Sequence, residues 1–482
     1  MRRSPLPLVC ALATALACRS VPNEPAANAA ALFEGRADAG TVMDTTDEKS
    51  TISLVERANW TLRTRPNPRS EFWSDVALLD VESADLAALS VEQRTFSAAL
   101  RTLMAGDPEA AAVAFELLRA TSRDSVVRAR ARIGLTMALS WHSDWSALAR
   151  IEAQPDSTDA TTDRLAVAAG VERWARALSM MPKPEFVVPE QAVTLPMHRS
   201  VFGTPVITVS INGHPQDFWL DTGASMTLLS SDVAVDAGIK LAARDTLALG
   251  VVAGHIEARA VYIDSLSIGP VVVRGLGAAI VSPDALRFDE RLGGSSAAHP
   301  LARPIAGMIG TDVLRHLDIV LDAGAETITI RRPRHKPAAT RNLFWIGYPV
   351  VRLVTRDGRP LLFGLDTGAE ATYVTSTLLE KLPKTRVAAR RMTLSGIGAE
   401  KKETSWVARD VPLSDGSYAI AFRNVPVLPA QRWTFVDFDG VIGSDVALAT
   451  RMHLDFTNGV FDIRGSAGPK RGAFPLDGVK VF

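Results

Sequence analysis

Two aspartates stand in nearly the same surroundings 145 residues apart: "LDTGASMTLLSS" begins at Leu220 and "LDTGAEATYVTS" at Leu365. One Asp-Thr-Gly turn arises by chance in many chains; two with matched flanks pose a chemical question. Carboxylates in contact cannot both ionise, so such a pair shares one proton and divides acid work from base work. One member, Asp221 or Asp366, would activate a water, and the other would protonate a carbonyl oxygen. That chemistry needs no metal, no cofactor and no covalent intermediate. The sequence offers no rival: it holds no HExxH pattern and no evident Ser-His-Asp constellation.

The flanks show what must position the two turns. Upstream of Asp221 run "PVITVSI", Asn212-Gly213 and "HPQDFWL"; upstream of Asp366 run "PVVRLVT", Asp357-Gly358 and "PLLFGL". Asn-Gly and Asp-Gly between strand-forming runs are strong hairpin signals, and each glycine precedes its aspartate by 8 residues. Downstream, Gly250 lies 29 residues after Asp221 and Gly396 lies 30 after Asp366. Both belong to expected hairpins, with flap tips placed at Gly254 and Gly398. Then "GMIGTDV" (with Met308, Ile309 and Gly310) is matched by "GVIGSDV" (with Val441, Ile442 and Gly443). Short strands, "ETITIRR" and "GVFDIRG", close the copies. The pattern predicts two copies of one all-β unit, residues 195–332 and 345–465, with a linker at 333–344 and a tail at 466–482.

This pattern resembles the retropepsin-like aspartic proteases over more than half the chain. The resemblance implies two β-barrel lobes, each giving one Asp-Thr-Gly loop to a shared cleft, with the hydrophobic-hydrophobic-Gly strand packed beneath it. It implies catalysis by Asp221 and Asp366, with Thr222 and Thr367 hydrogen-bonded across the lobe interface. Gly223 and Gly368 would leave room for water and substrate. Both lobes lie in one chain, so no dimer is required. Ala224 and Ala369 follow the glycines as in retropepsins, where pepsin-like enzymes carry a hydroxyl residue. An extended peptide or protein would lie across the cleft, adding as a strand does.

The N-terminal part is different in kind. Arg2 and Arg3 precede "LPLVCALATALA", too short for a membrane span and suited to a signal-peptide core over residues 1–18. Its end, "ALAC", resembles the lipobox of bacterial lipoproteins, which would place a lipid on Cys18; Ala15 departs from the usual leucine. Plain secretion with cleavage after Ala17 is the alternative. In either case the expected location is the periplasm, the cell envelope or beyond. Cys10 and Cys18 are the only cysteines, so the processed chain has no intramolecular disulfide to form. Residues 19–50 have the composition of a tether.

Residues 51–180 carry apolar positions at three- and four-residue spacing, and Ala110, Ala111 and Ala131 would let helices approach closely. Turns at Asp107 and Asp144 suggest helical hairpins that resemble tetratricopeptide-type repeats; a plain helical bundle fits as well. Such a domain would bind a protein partner, recruit substrate or cover the cleft. A linker at 181–194 follows, with Pro182, Pro184 and Pro189 barring a continued helix. The expected fold is thus multidomain, α plus all-β. Lys plus Arg and Asp plus Glu both total 53, and the basic run from Arg331 reads as a linker, so no nucleic-acid partner is indicated. The expected function is an exported aspartic endopeptidase; the alternative is an inactive scaffold that binds peptides in the same cleft.

Overall fold

A computed structural model describes residues 51–465 apart from 59, 64–70, 152–161, 201–202, 252–253, 287–304, 337–340, 383, 397–398, 430 and 434–435. Cys18, the tether, Gly398 and the tail lie outside the described residues.

Among the described residues, the elements from Phe72 to Leu178 are helices. Asp80, Ser90, Asp107, Asp124 and Asp144 each accept from backbone N–H groups of the turn that follows, which sets five helix starts. The helices Pro108–Thr121 and Ser125–Ser140 meet at Gly134, where a Cβ would lie 2.6 Å from the Phe115 ring. Of the three alanines expected at such contacts, Ala111 and Ala131 are buried, whereas Ala110 is exposed in the first turn. Helix Thr162–Leu178 joins them through a buried ion pair, Arg132 Nε donating to Glu172 Oε1 at 2.8 Å.

The segment assigned to the helical domain does not begin as helix. Thr51–Arg57 is a strand paired antiparallel with Tyr418–Arg423 at the edge of the second lobe's sheet. "TISLVER" is rich in strand formers, but its partner lies more than 360 residues away, and only tertiary pairing reveals it. The expected linkers also carry strands. Glu185–Val187 pairs with Val271–Val281, and Val193–Pro196 pairs with Thr327–Arg331. In both, proline is confined to the flanks or the end of an outermost strand, where a missing N–H is tolerated. Leu343–Trp345 likewise begins within the second linker and pairs with Pro349–Val354.

The two β-units repeat one topology. In the first, hairpin Pro205–Ile211 and His214–Leu220 turns at Asn212 and Gly213, both at positive φ. In the second, Pro349–Val354 and Pro360–Leu365 turn with only Gly358 at positive φ, because this loop is longer than two residues. Gly307–Ile309 runs parallel to His214–Leu220 and antiparallel to Leu228–Ser230. Gly440–Ile442 runs parallel to Pro360–Leu365 and antiparallel to Tyr373–Thr375. A long hairpin projects from each unit: Lys240–Val251 with Gly254–Ile268, and Val387–Gly396 with Ala399–Ala408. The lobes are sewn together by a five-stranded sheet in which Asp318–Asp322 of the first pairs with Thr450–Asp455 of the second. That shared sheet fixes both Asp-Thr-Gly loops in one frame.

Candidate active site

Each strand leading to an aspartate ends in a loop held from below. The Asp221 N–H donates to Ile309 C=O at 3.0 Å, and the Asp366 N–H donates to Ile442 C=O at 2.9 Å. Met308 pairs with Trp219, and Val441 pairs with Gly364, so both hydrophobic-hydrophobic-Gly strands lie directly beside the aspartate strands. Their glycines are needed for space. A Cβ on Gly310 would lie 2.6 Å from the Met226 backbone, and one on Gly443 would lie 2.5 Å from the Ala371 backbone.

The loops then lock across the lobe interface in a reciprocal set. Thr222 N–H donates to Thr367 Oγ1 at 3.0 Å, and Thr367 N–H donates to Thr222 Oγ1 at 2.9 Å. Each hydroxyl donates onward, Thr222 to Leu365 C=O at 2.9 Å and Thr367 to Leu220 C=O at 2.6 Å. Both threonines are buried, so every donor is paired where an unpaired one would be costly.

That lock brings Asp221 and Asp366 together. A Cβ on Gly223 would lie 2.4 Å from Asp366 Cγ, and one on Gly368 would lie 2.6 Å from Asp221 Cγ. Glycine is therefore required here by the opposite carboxylate. Asp221 Oδ1 accepts from Gly223 N at 2.8 Å and Ala224 N at 3.0 Å; Asp366 Oδ1 accepts from Gly368 N and Ala369 N, both at 3.0 Å. Each carboxyl thus has one oxygen fixed by its own loop. Burial pushes Asp221 up to about 6 against those backbone donors, and burial with the Asp221 charge pushes Asp366 well above the usual carboxylate range. The hydrogen bond between them lowers Asp221 and raises Asp366. Two carboxyls this close cannot both ionise, so the pair titrates as a unit with one proton between them.

A supporting layer beneath the loops was not read from the sequence. Gly310 N–H donates to Thr227 Oγ1 at 3.3 Å, and Thr227 donates from Oγ1 to Asp312 Oδ1 at 2.9 Å and from N to Asp312 Oδ2 at 2.8 Å. The second lobe repeats it: Gly443 N–H to Thr372 Oγ1 at 3.0 Å, and Thr372 Oγ1 to Asp445 Oδ1 at 2.7 Å. Burial pushes both Asp312 and Asp445 up to about 6. The signal was present, since both motifs continue as Gly-Thr-Asp and Gly-Ser-Asp, and a threonine follows each dyad aspartate by six residues.

The lobes are not identical around the dyad. Thr204 and Tyr348 hold matching places in Gly203-Thr204-Pro205 and Gly347-Tyr348-Pro349. The Tyr348 ring packs so closely on Gly364 that a Cβ there would lie 2.8 Å away, and it faces Phe438 with centroids 5.9 Å apart. Burial first, then the charges of Asp366 and Asp221 among its neighbours, keeps its phenol protonated. Of the expected flap tips, Gly254 opens the return strand of its hairpin, paired with Val251.

Residues 207–313 match the aspartyl protease family. The match runs from strand Pro205–Ile211 to the helix after Gly310, so it takes in the first Asp-Thr-Gly loop and its supporting strand but not the second lobe. The two β-lobes share one all-β topology and are preceded by the helical region. Among solved structures, a retropepsin-like aspartic protease from Rickettsia conorii matches at 15% identity with a TM-score of 0.20, covering 31% of this chain and 94% of that one. No curated protein matches the chain.

Proposed function

We propose that the chain is an aspartic endopeptidase acting on extended peptides through Asp221 and Asp366. The observation that carries this is the contact of two buried carboxyls, each anchored by two backbone N–H groups and both raised above the ordinary carboxylate range by burial. Ionised Asp221 takes a proton from water as the water oxygen attacks the scissile carbonyl carbon. Asp366 gives its proton to the carbonyl oxygen, so the intermediate is a neutral gem-diol. Collapse breaks the C–N bond as a proton passes to the departing amine, and the carboxyl pair returns with one proton. The loops are fixed before substrate arrives, so little reorganisation is asked of them.

Asp221→Asn and Asp366→Asn should each lower cleavage of unfolded protein by roughly a thousandfold or more, and the double variant should be little worse, because the two act as one unit. Single variants that cut like wild type would exclude the dyad. A wild type that cuts nothing from pH 4 to 8 but binds extended peptides would be a scaffold. The reading extends to export: the short apolar run ending at Cys18 supports a lipid-anchored or secreted protein. Wild type should enter the detergent phase and Cys18→Ala should leave it; a wild type that stays in the aqueous phase excludes the anchor.

A further inference from the structure

The helices do not stand apart from the lobes. Lys240–Val251 is the edge strand of the first lobe's sheet, and an edge strand presents unpaired carbonyls. One of them, Ala248 C=O, accepts from Trp174 Nε1 of helix Thr162–Leu178 at 3.3 Å. Behind it, a Cβ on Gly277 would lie 3.2 Å from both Leu178 and the Trp145 indole. Strand Val271–Val281 therefore has a gap where the helices seat.

One apolar seam continues from there to the dyad. Trp174 and Leu178 belong to the same buried cluster as Leu247, Leu249, Ala258 and Ala260, which alternate along one face of the Lys240–Ile268 hairpin. That cluster runs on to Met226 and Ala224, and the Ala224 N–H holds Asp221. The other lobe is gripped as well: Arg352 Nη2 donates to Leu79 C=O at 3.0 Å, and helix Phe72–Ala77 packs against Val436–Phe438. Asp221 is only 3% exposed and Asp366 only 2%, so both carboxyls are buried in this arrangement.

We infer that the helical domain is a built-in cap that clamps the Lys240–Ile268 hairpin and closes the first-lobe side of the cleft, so the site opens only when the helices lift. The inference rests on the protease reading of the dyad, and it assigns the helices a regulatory task. A hairpin over a cleft must move for substrate to enter, and this one is hydrogen-bonded and packed to an element outside both lobes. The occupant of the hairpin face is the chain itself.

The test uses full-length protein and two variants. Trp174→Phe keeps a buried aromatic but removes the N–H to Ala248 and the second ring of the indole; Gly277→Leu drives a wedge from the strand against Leu178 and Trp145. Hydrogen exchange of strands 240–251 and 254–268 reads the clamp, and the association rate of a statine-containing peptide reads access to the dyad. Both should rise at least tenfold in the variants, with the melting temperature of the lobes nearly unchanged. If Gly277→Leu fails to fold, Trp174→Phe alone decides. Hairpin exchange equal to wild type in a folded variant overturns the cap, whether or not the peptide binds. Faster exchange with no statine binding and no cleavage in any form keeps the cap and refutes the protease reading.

Discussion

At the scale of single residues, the dyad is a case of destabilisation that serves chemistry. Asp221 is raised to about 6 and Asp366 is raised further, both chiefly by burial. A carboxyl with a raised native pKa folds best when protonated. Its contribution is therefore complete below the ordinary carboxylate range near 4, and it is lost as pH rises through the native value. Asparagine at 221 carries no charge at any pH, and its Oδ1 can still accept from Gly223 and Ala224. Asp221→Asn should therefore be more stable than wild type at pH 8, by about 3 kcal/mol from the size of the shift, and nearly equal to it at pH 4. Urea unfolding at the two pH values checks this. A stability difference that does not depend on pH would mean that the two carboxyls are not competing for one proton.

At the scale of elements, the hydrophobic-hydrophobic-Gly strands do more for the site than their small size suggests. Gly310 and Gly443 have negative φ, −88° and −93°, so any residue could adopt their backbone. Only the approach of the dyad loop forbids a side chain. Gly310→Ala and Gly443→Ala should each cost about 3 kcal/mol through forced backbone shifts, whereas Gly465→Ala, with nothing within 4 Å of its Cβ, should be close to neutral in the same urea melts. These strands were legible because the sequence repeats them at matched spacing, and the repeat also exposed the hairpins and both Asp-Thr-Gly loops. The Asp312 and Asp445 layer was equally repeated, but nothing in the sequence alone shows that these aspartates turn back to Thr227 and Thr372. Thr51–Arg57 was hidden for another reason: a lone strand at a sheet edge owes its pairing to Tyr418–Arg423, far along the chain. Nor could the periodicity of Thr162–Leu178 show that Trp174 caps another element's carbonyl. An apolar helix position reads alike whether it faces its own domain or a neighbour.

At the scale of the whole molecule, the join between helices and first lobe carries a titratable group on its inner side. Arg315, just beyond the Gly310 motif, donates through Nε to Trp141 C=O and through Nη2 to Ser140 C=O, both at 2.7 Å, capping the carbonyl end of helix Ser125–Ser140. Next to it, His316 packs on Phe186 with ring centroids 4.3 Å apart and faces Trp141 and His142 at 6.3 and 6.1 Å. Its Nε2 is buried without a hydrogen-bond partner. Burial first, then the charges of Arg315 and His142, holds His316 well below its ordinary pKa, against a smaller pull from the Trp141 backbone. His142 is itself lowered by burial, although Glu109 favours its proton; Arg315 and Lys183 oppose that proton, and Lys183 is paired with Asp144. The docked state thus rejects a proton that His316 would take near 6.5 once exposed. Docking is therefore at full strength above that pH and weakens as pH falls below it, by up to about 1.4 kcal/mol per pH unit for one proton. The dyad runs the other way, since acid supplies the single proton it needs, so the conditions that suit the chemistry also loosen the helices. The protection factors of strands 240–251 and 254–268, corrected for the intrinsic pH dependence of amide exchange, should fall between pH 7 and 5.5 in wild type. In His316→Phe, which keeps an aromatic ring against Phe186 and Trp141 but cannot titrate, the same hairpin should stay protected across that range. A pH response that survives in the phenylalanine variant would move the sensor away from His316, and a wild type with no response would leave the helices indifferent to acid.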